Sequence, residues 1–176
     1  DFNAIAQGFS VDVVCRHLDR LDVESYLVEI GGEVRVKGDK GGVMWRIGID
    51  KPVDYNFSPG GDLQAVISLK ERSLATSGNY RKFFVEDGVK YSHTIDPVTG
   101  YPVRNNLLSA TILAGDCATA DAVATACMVM GLDKSISFLN EHPEFAGYLI
   151  YSDDTGEFRT WSSEGLDRLI SESEEN

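Results

Sequence analysis

The chain has 176 residues, of which 43% are hydrophobic and 25% are charged, a composition typical of a globular protein of ordinary domain size. Its formal net charge of −12, from 28 acidic and 16 basic residues, argues against binding to nucleic acid or to an anionic membrane surface, because both need clustered lysine and arginine. No apolar run reaches the ~18 residues that a membrane-spanning helix needs, and the three cysteines fit no zinc spacing and predict small buried side chains on helices.

The first half of the chain predicts one helix followed by a series of strands. Residues 4–21 form an amphipathic helix whose periodicity places five apolar side chains on the buried face: Ile5, Phe9, Val13, Val14 and Leu18. Strands are predicted at 26–30, 34–37, 45–49, 63–69, 74–77, 83–86 and 89–91. The first two strands make a hairpin, and residues 51–61, which include two prolines, form a loop.

The second half of the chain mixes strands and helices. A strand is predicted at 108–114, helices at 117–130 and 134–140, a closing hairpin at 145–151 and 157–161, and a last helix near 165–170. No internal repeat or linker interrupts this order. We therefore expect a single α+β domain over residues 1–170, with a largely antiparallel sheet flanked by helices, followed by an acidic tail at 171–176.

The helix at 117–130 is apolar nearly all round, which predicts burial on most sides, yet it carries Asp121. Asp121 and Thr125 stand four residues apart, so their oxygens project from the same face. Burying a carboxylate is costly unless a cation or several donors compensate it, and no lysine or arginine lies between Arg104 and Lys134. Two interpretations stay open: an Asp held by backbone amides or a helix dipole, or a hard cation, preferably Mg²⁺, bound by this carboxylate with a hydroxyl or carbonyl.

The segment 93–100 combines a histidine with the turn signature Asp-Pro-x-Thr-Gly. Pro97 sets φ for a turn, Asp96 can cap it through its side chain, and Gly100 tolerates a positive φ. His93 therefore has a fixed position near the end of a hairpin. It is either a general base that titrates near neutral pH or an incidental surface histidine.

Two glycine-containing segments would allow close approach of a ligand. Gly31 and Gly32 follow a strand, while Ser77 and Gly78 lie in a run that combines amides, a hydroxyl and an aromatic ring. Each segment alone is more often an ordinary turn. Together with the acidic helix and His93, they predict a site for an anion or a heterocycle.

These motifs, in this order, resemble the family of flavin transferases that move FMN from FAD onto a protein Ser or Thr. The matching segments are 1–9 with Asp12, 26–32, 45–49 with Pro52, 75–80, 93–100 and 120–126. The resemblance runs from the first residue to about Leu166. Its His-x-x-Asp-Pro-x-Thr-Gly and Asp-Ala-x-Ala-Thr-Ala pieces are specific when found together at this separation. It implies an ApbE-like, T-fold-like domain.

The resemblance also implies site residues. It implies a Mg²⁺ ion bound by the backbone carbonyl of Ala4 and by the side chains of Asp121 and Thr125. His93 is implied as the base that takes the proton of the acceptor hydroxyl as AMP departs. Residues implied to contact FAD or to line its site are Asp1, Gln7, Gly31, Gly32, Ser77, Gly78 and Ile95. Family members often carry a charged residue in place of Gln7, so its contact with FAD would be a neutral hydrogen bond.

The implied activity is Mg²⁺-dependent transfer of FMN from FAD to a Ser or Thr hydroxyl of an acceptor flavoprotein, with release of AMP. An FAD pyrophosphatase, in which water replaces the acceptor hydroxyl, and a non-catalytic FAD-binding module stay open as alternatives. Because family chains carry an N-terminal portion that contributes flavin contacts, we expect this chain to be the C-terminal major part of such a domain. The resemblance also implies export to the periplasm or the outer face of the cytoplasmic membrane, attached through an anchor outside this chain.

Overall fold

The computed structural model describes residues 2–52, 60–79, 83–86, 89–92, 94–103 and 105–172, with backbone alone in 83–86, in 89–92 and at 172. The helices are α1 (Ala6–Arg20), α2 (Cys117–Met130) and α3 (Leu132–Glu141), with short 3-10 turns at Phe2–Ala4 and Leu166–Arg168. The strands are β1 (Tyr26–Ile30), β2 (Glu33–Lys37), β3 (Trp45–Asp50), β4 (Leu63–Leu69), β5 (Arg72–Gly78), β6 (Phe83–Glu86), β7 (Val89–Ser92), β8 (Leu107–Ala114), β9 (Ala146–Ser152), β10 (Phe158–Ser162) and β11 (Ile170–Glu172).

The strands form antiparallel sheets. The larger sheet has the order β1-β2-β5-β8-β9-β10, and a smaller one has the order β11-β4-β3. Strands β6 and β7 pair with each other as a hairpin, and the pairings within all three sheets are antiparallel. The predicted α+β class with a largely antiparallel sheet flanked by helices is therefore confirmed.

The larger sheet separates the helices from the smaller sheet. Successive side chains of a strand point to opposite faces, and β8 shows both: Ala110 and Ile112 pack with residues of α2, whereas Leu113 packs with residues of the smaller sheet. All three cysteines are free and buried on α1 or α2, as the sequence predicts. Among the described residues, no helix has both the length and the apolar character needed to cross a bilayer.

The buried face of α1 differs from the predicted one. Its buried residues are Gly8, Val11, Asp12 and Cys15. Of the five predicted core positions, Ile5, Phe9, Val13 and Val14 are exposed, and Leu18 is partly buried. The prediction was wrong because the buried face, which holds Val11 and Cys15, also holds a glycine and a hydrogen-bonded aspartate that hydrophobic periodicity does not detect.

The end of the chain also differs from its prediction. Where a helix was expected near 165–170, a single 3-10 turn at Leu166–Arg168 leads into β11. This strand pairs with β4 through Ile170, Ser171 and Glu172. It therefore includes the first two residues of the segment predicted as an acidic tail. Pairing with β4 makes this segment a strand, and short-range sequence patterns do not encode such pairing.

A matched pair of valines on α1 tests the observed orientation of the helix. Val11 is 0% exposed and Val13 is 44% exposed. We expect Val11→Ala to lower the free energy of unfolding by about 1.5–3 kcal/mol, from lost burial and the cavity left behind. We expect Val13→Ala to change it by less than about 0.5 kcal/mol. Denaturant unfolding of both variants checks this, and the reverse order of effects would support the face predicted from the sequence.

Candidate functional site

The N-terminal turns of α1 and α2 meet at Gly8. The Gly8 amide donates a hydrogen bond of 3.1 Å to Oδ2 of Asp121. A Cβ at position 8 would overlap the carbonyl oxygen of Cys117 and would lie 2.9 Å from the Cα of Ala118. The two helices therefore touch backbone to backbone, at a separation that only glycine permits.

Because the Gly8 amide donates to Asp121, the carbonyl of Ala4 does not receive it. In a helix extended by one residue, the Gly8 amide would donate to the Ala4 carbonyl, four residues earlier. Here the amide donates to Asp121 instead, while the next amide, that of Phe9, donates to Ile5. The Ala4 carbonyl thus lacks its helical donor, and the turn Phe2–Ala4 lies beside α2.

A carboxylate on α1 caps the first turn of α2. The carboxylate of Asp12 accepts hydrogen bonds from the amides of Cys117, at 3.0 and 3.1 Å, and of Ala118, at 2.9 Å. The next amide, that of Thr119, donates to the local N-cap Asp116 at 2.8 Å. Each helix therefore supplies a buried carboxylate that accepts from the free N-terminal amides of the other.

Asp121 is 6% exposed. Burial raises the pKa of its carboxyl group above the ordinary value, and the Gly8 hydrogen bond opposes that rise. Within the described ranges, this amide is the hydrogen-bond donor found for the carboxylate. The backbone-amide interpretation thus holds in part, but one amide leaves a net cost for the charged form, which a bound cation would offset.

Thr125 lies one turn further along α2 and contacts the larger sheet. Its hydroxyl is 3.1 Å from the hydroxyl of Ser77 on β5, and either oxygen can donate. When Ser77 accepts the proton of Thr125, both lone pairs of the threonine oxygen are available to a cation. Ser77 can therefore orient Thr125 as well as line a ligand site.

These oxygens fit a magnesium ion. Among the described residues no group of three or more His, Cys, Asp or Glu side chains is arranged to hold a metal ion, so a site here would combine one carboxylate with a hydroxyl and a carbonyl. Mg²⁺ prefers oxygen ligands and commonly takes one or two carboxylates together with water and substrate phosphates. The donor set of Ala4, Asp121 and Thr125 matches that chemistry, although their assignment as ligands stays a prediction.

The predicted glycine site lies beside the start of α1. A Cβ on Gly31 would overlap the side-chain amide nitrogen of Gln7 and would lie 3.5 Å from a carboxylate oxygen of Glu33. Gly31 has φ +68° and Gly32 has φ +109°, and the position of a Cβ on Gly32 is open. The structure thus brings Gln7 and Gly31 together near the N-terminal end of α1, where a ligand could approach the bare backbone at Gly32.

The predicted turn at 96–100 is confirmed. The Asp96 side chain accepts from the amide of Val98 at 2.9 Å, and Gly100 has φ +74°. Ile95 pairs with Pro102 across the hairpin. A cleft of about 400 Å³ separates the hairpin from the C-terminal end of α2 and is lined by Asp96, Thr99, Tyr101, Pro102, Val103, Asn105, Val129 and Met130.

The described residues bring part of the predicted site together. Asp121 contacts the first turn of α1, which follows Ala4 and includes Gln7, while Thr125 contacts Ser77. Gly78 pairs with Ser109 at the end of β5, and Ile95 lies on the hairpin beyond the other end of α2. His93 and Asp1 lie outside the described residues, so their assigned roles stay predictions.

We call the contact between the first turns of α1 and α2 the junction. Two of its residues had no role in the site predicted from the sequence. Gly8 and Asp12 belong to the first matching motif, but the sequence assigned them neither a contact nor a function. A signal was present in their spacing. Gly8 and Asp12 are four residues apart on α1, as are Cys117 and Asp121 on α2, so each pair lies on one face of its helix.

Comparison with known proteins shows consistent similarity. The sequence model of the ApbE family matches residues 1–149. Proteins named FAD:protein FMN transferase from Vibrio cholerae and Haemophilus influenzae are each 42% identical, over 97% and 96% of this chain and 50% and 48% of theirs. The solved flavin transferase ApbE from Vibrio cholerae has a TM-score of 0.81 at 39% identity, covering 96% of this chain and 52% of that one. The apo flavinyl transferase ApbE from Pseudomonas stutzeri has a TM-score of 0.79 at 36% identity, covering 96% and 50%. The chain therefore spans about half the length of these relatives.

Substitution of Gly8 tests the backbone contact between the helices. Alanine is the better helix former, by about 1 kcal/mol, so an uncrowded site would favour Gly8→Ala. We expect the opposite, a loss of about 1–3 kcal/mol in the free energy of unfolding, because the Cβ would overlap backbone atoms that cannot rotate away.

Gly115→Ala is the matched control, since a Cβ there would meet nothing within 4 Å. We expect it to change the free energy of unfolding by less than about 0.5 kcal/mol. Equal stability of the two variants in urea unfolding would show that α1 and α2 are not in contact at Gly8.

Proposed function

The chain belongs to the ApbE family, and we propose from this that it carries the metal-binding and pyrophosphate-binding part of an FAD:protein FMN transferase. The proposed reaction moves FMN from FAD to a Ser or Thr hydroxyl of an acceptor flavoprotein and releases AMP. The observation that carries the proposal is the buried Asp121 carboxylate, which lies one helical turn from Thr125 and is hydrogen bonded to the first turn of α1. The family motifs coincide with this junction.

We propose that Ala4, Asp121 and Thr125 hold Mg²⁺ at this junction. When bound, Mg²⁺ would neutralise pyrophosphate charge and favour the departure of AMP. Because the chain has a formal net charge of −12, a bound cation would also reduce its repulsion of an anionic substrate. The buried carboxylate and the Ala4 carbonyl without its helical donor support this ligand set.

The chain's own residues would bind and orient FAD. Gly32 leaves the backbone bare beside Gly31, where the side-chain amide of Gln7 would offer a neutral hydrogen bond. If Ser77 accepts the Thr125 proton, it would keep the threonine oxygen directed at the metal site. These roles support FAD binding at the N-terminal end of α1.

In the proposed chemistry, the acceptor oxygen forms a bond to the phosphorus of the FMN moiety, and the bond from that phosphorus to the oxygen of AMP breaks. The proton of the acceptor hydroxyl goes to His93. A histidine suits this task because its ordinary pKa lies close to neutral pH. From the family resemblance alone, we propose that the reaction occurs in the periplasm or at the outer face of the cytoplasmic membrane.

A transfer assay tests the activity. The protein is incubated with FAD, Mg²⁺ and a candidate acceptor flavoprotein, and in-gel flavin fluorescence, mass spectrometry and AMP release are measured. We expect covalent FMN on the acceptor in equal amount to AMP, and none on an acceptor whose Ser or Thr is replaced by Ala. Release of free FMN and AMP with an unmodified acceptor would contradict the transferase and indicate a pyrophosphatase. Bound FAD without AMP would indicate a binding module.

Asp121→Asn tests the metal site separately from the activity. Without metal, we expect the variant to be at least as stable as the unsubstituted protein, because it removes a charge whose burial one amide does not offset. At a Mg²⁺ concentration of 100 Kd, the unsubstituted protein should gain about 2.7 kcal/mol, and Asp121→Asn should gain almost nothing.

Thermal unfolding with and without Mg²⁺ measures this difference. Asp133→Asn, at an exposed position on α3, is the matched control and should keep the full Mg²⁺ effect. Undiminished Mg²⁺ stabilisation of Asp121→Asn would remove Asp121 from the ligand set.

A further inference from the structure

We propose that Asp12 is a positioning residue for this metal site. It would hold the first turn of α2 against α1, so that Asp121 takes the Gly8 amide and the Ala4 carbonyl stays available to the ion. The inference rests on the proposed function for the identity of the ion. Its geometric part rests on the contacts of Asp12 alone.

Asp12 and Asp121 form two hydrogen-bonded connections between the same helix faces. Gly8 and Asp12 are one turn apart on α1, and Cys117 and Asp121 are one turn apart on α2. One connection joins Gly8 to Asp121, and the other joins Asp12 to Cys117 and Ala118. Both carboxylates are buried, with Asp12 4% exposed and Asp121 6% exposed. A displacement of one connection therefore moves the other.

Asp12 also links the helices to the larger sheet. A guanidinium nitrogen of Arg35, on β2, lies 3.2 Å from Oδ1 of Asp12 and donates to the carbonyl of Gly115 at 3.0 Å. One carboxylate thus connects α1, the first turn of α2 and β2, and the same guanidinium holds the residue before the N-cap of α2. Charge-assisted bonds of this kind fix the position of a group more firmly than neutral ones.

Local capping does not replace Asp12. The carboxylate of Asp116 accepts from the amide and the hydroxyl of Thr119, one residue beyond the two amides that Asp12 receives. Gly8 has no side chain that could hold the spacing between the helices. Without Asp12, the first turn of α2 loses its acceptor, and Asp121 can move away from Gly8. That movement would leave the Gly8 amide open to exchange and would displace a proposed metal ligand.

The experiment compares Asp12→Asn with Asp19→Asn. Asp19 is also on α1, but it accepts from Lys37 at 2.8 Å and from the Tyr26 hydroxyl at 3.1 Å, and within the described part of the chain it makes no hydrogen bond to α2. Two readouts are used: hydrogen exchange of the Gly8 amide by NMR without metal, and titration calorimetry with Mg²⁺ alone. In Asp12→Asn we expect about tenfold faster Gly8 exchange and about tenfold weaker Mg²⁺ binding. In Asp19→Asn we expect both within about twofold of the unsubstituted protein.

The outcomes separate this inference from the proposed function. If Asp12→Asn lowers the Tm but leaves Gly8 exchange and the Mg²⁺ Kd unchanged, Asp12 is only structural and the inference is overturned. If the unsubstituted protein binds no Mg²⁺, the proposed metal site fails, and Gly8 exchange alone decides whether Asp12 positions Asp121.

If Asp12→Asn does not fold, Arg35→Gln is the variant to test, since it keeps the carboxylate but removes its cation. It should shift both readouts in the same direction, and unchanged readouts would overturn the inference.

Discussion

Two helix N-termini meet at Gly8, and each receives a hydrogen-bond acceptor from a carboxylate on the other helix. A buried carboxylate is costly by itself, and a helix N-terminus lacks acceptors for its first amides. Because each carboxylate accepts hydrogen bonds from amides at the start of the other helix, Asp12 and Asp121 can stay buried among apolar residues. The pairing requires a backbone contact between α1 and α2, and this contact requires glycine at position 8.

The same junction prepares the oxygens of the proposed metal site. Asp121 draws the Gly8 amide away from Ala4, and the larger sheet presents Ser77 to Thr125 one turn further along α2. The two capping carboxylates are not equivalent. Asp12 receives two amides and a guanidinium, whereas within the described part of the chain Asp121 receives one amide. The family resemblance assigns Mg²⁺ to Asp121, which is the carboxylate with fewer donors. Fewer donors leave more of its negative charge for a cation to neutralise, which gives that assignment a physical reason.

Much of the fold could be predicted from the sequence, because alternation and turn residues mark the strands and Gly131 marks the end of α2. The shared face of Asp121 and Thr125 followed from their spacing, and the turn at Asp96 followed from side-chain capping. The buried face of α1 was predicted wrongly, because Gly8 and Asp12 lie on it beside Val11 and Cys15, and their burial depends on contacts with α2, more than a hundred residues away. The FAD contacts came from the family resemblance, since residue types alone do not identify a heterocycle.

Anomalous diffraction from crystals grown with Mn²⁺ tests the central claim most directly. Mn²⁺ takes the oxygen ligands that Mg²⁺ takes and gives an anomalous signal. The account predicts a peak within coordination distance of the Asp121 carboxylate, the Thr125 hydroxyl and the Ala4 carbonyl, with the Gly8 amide still on Asp121. A peak bound elsewhere, or an Ala4 carbonyl that accepts the Gly8 amide while the ion is bound, would contradict it.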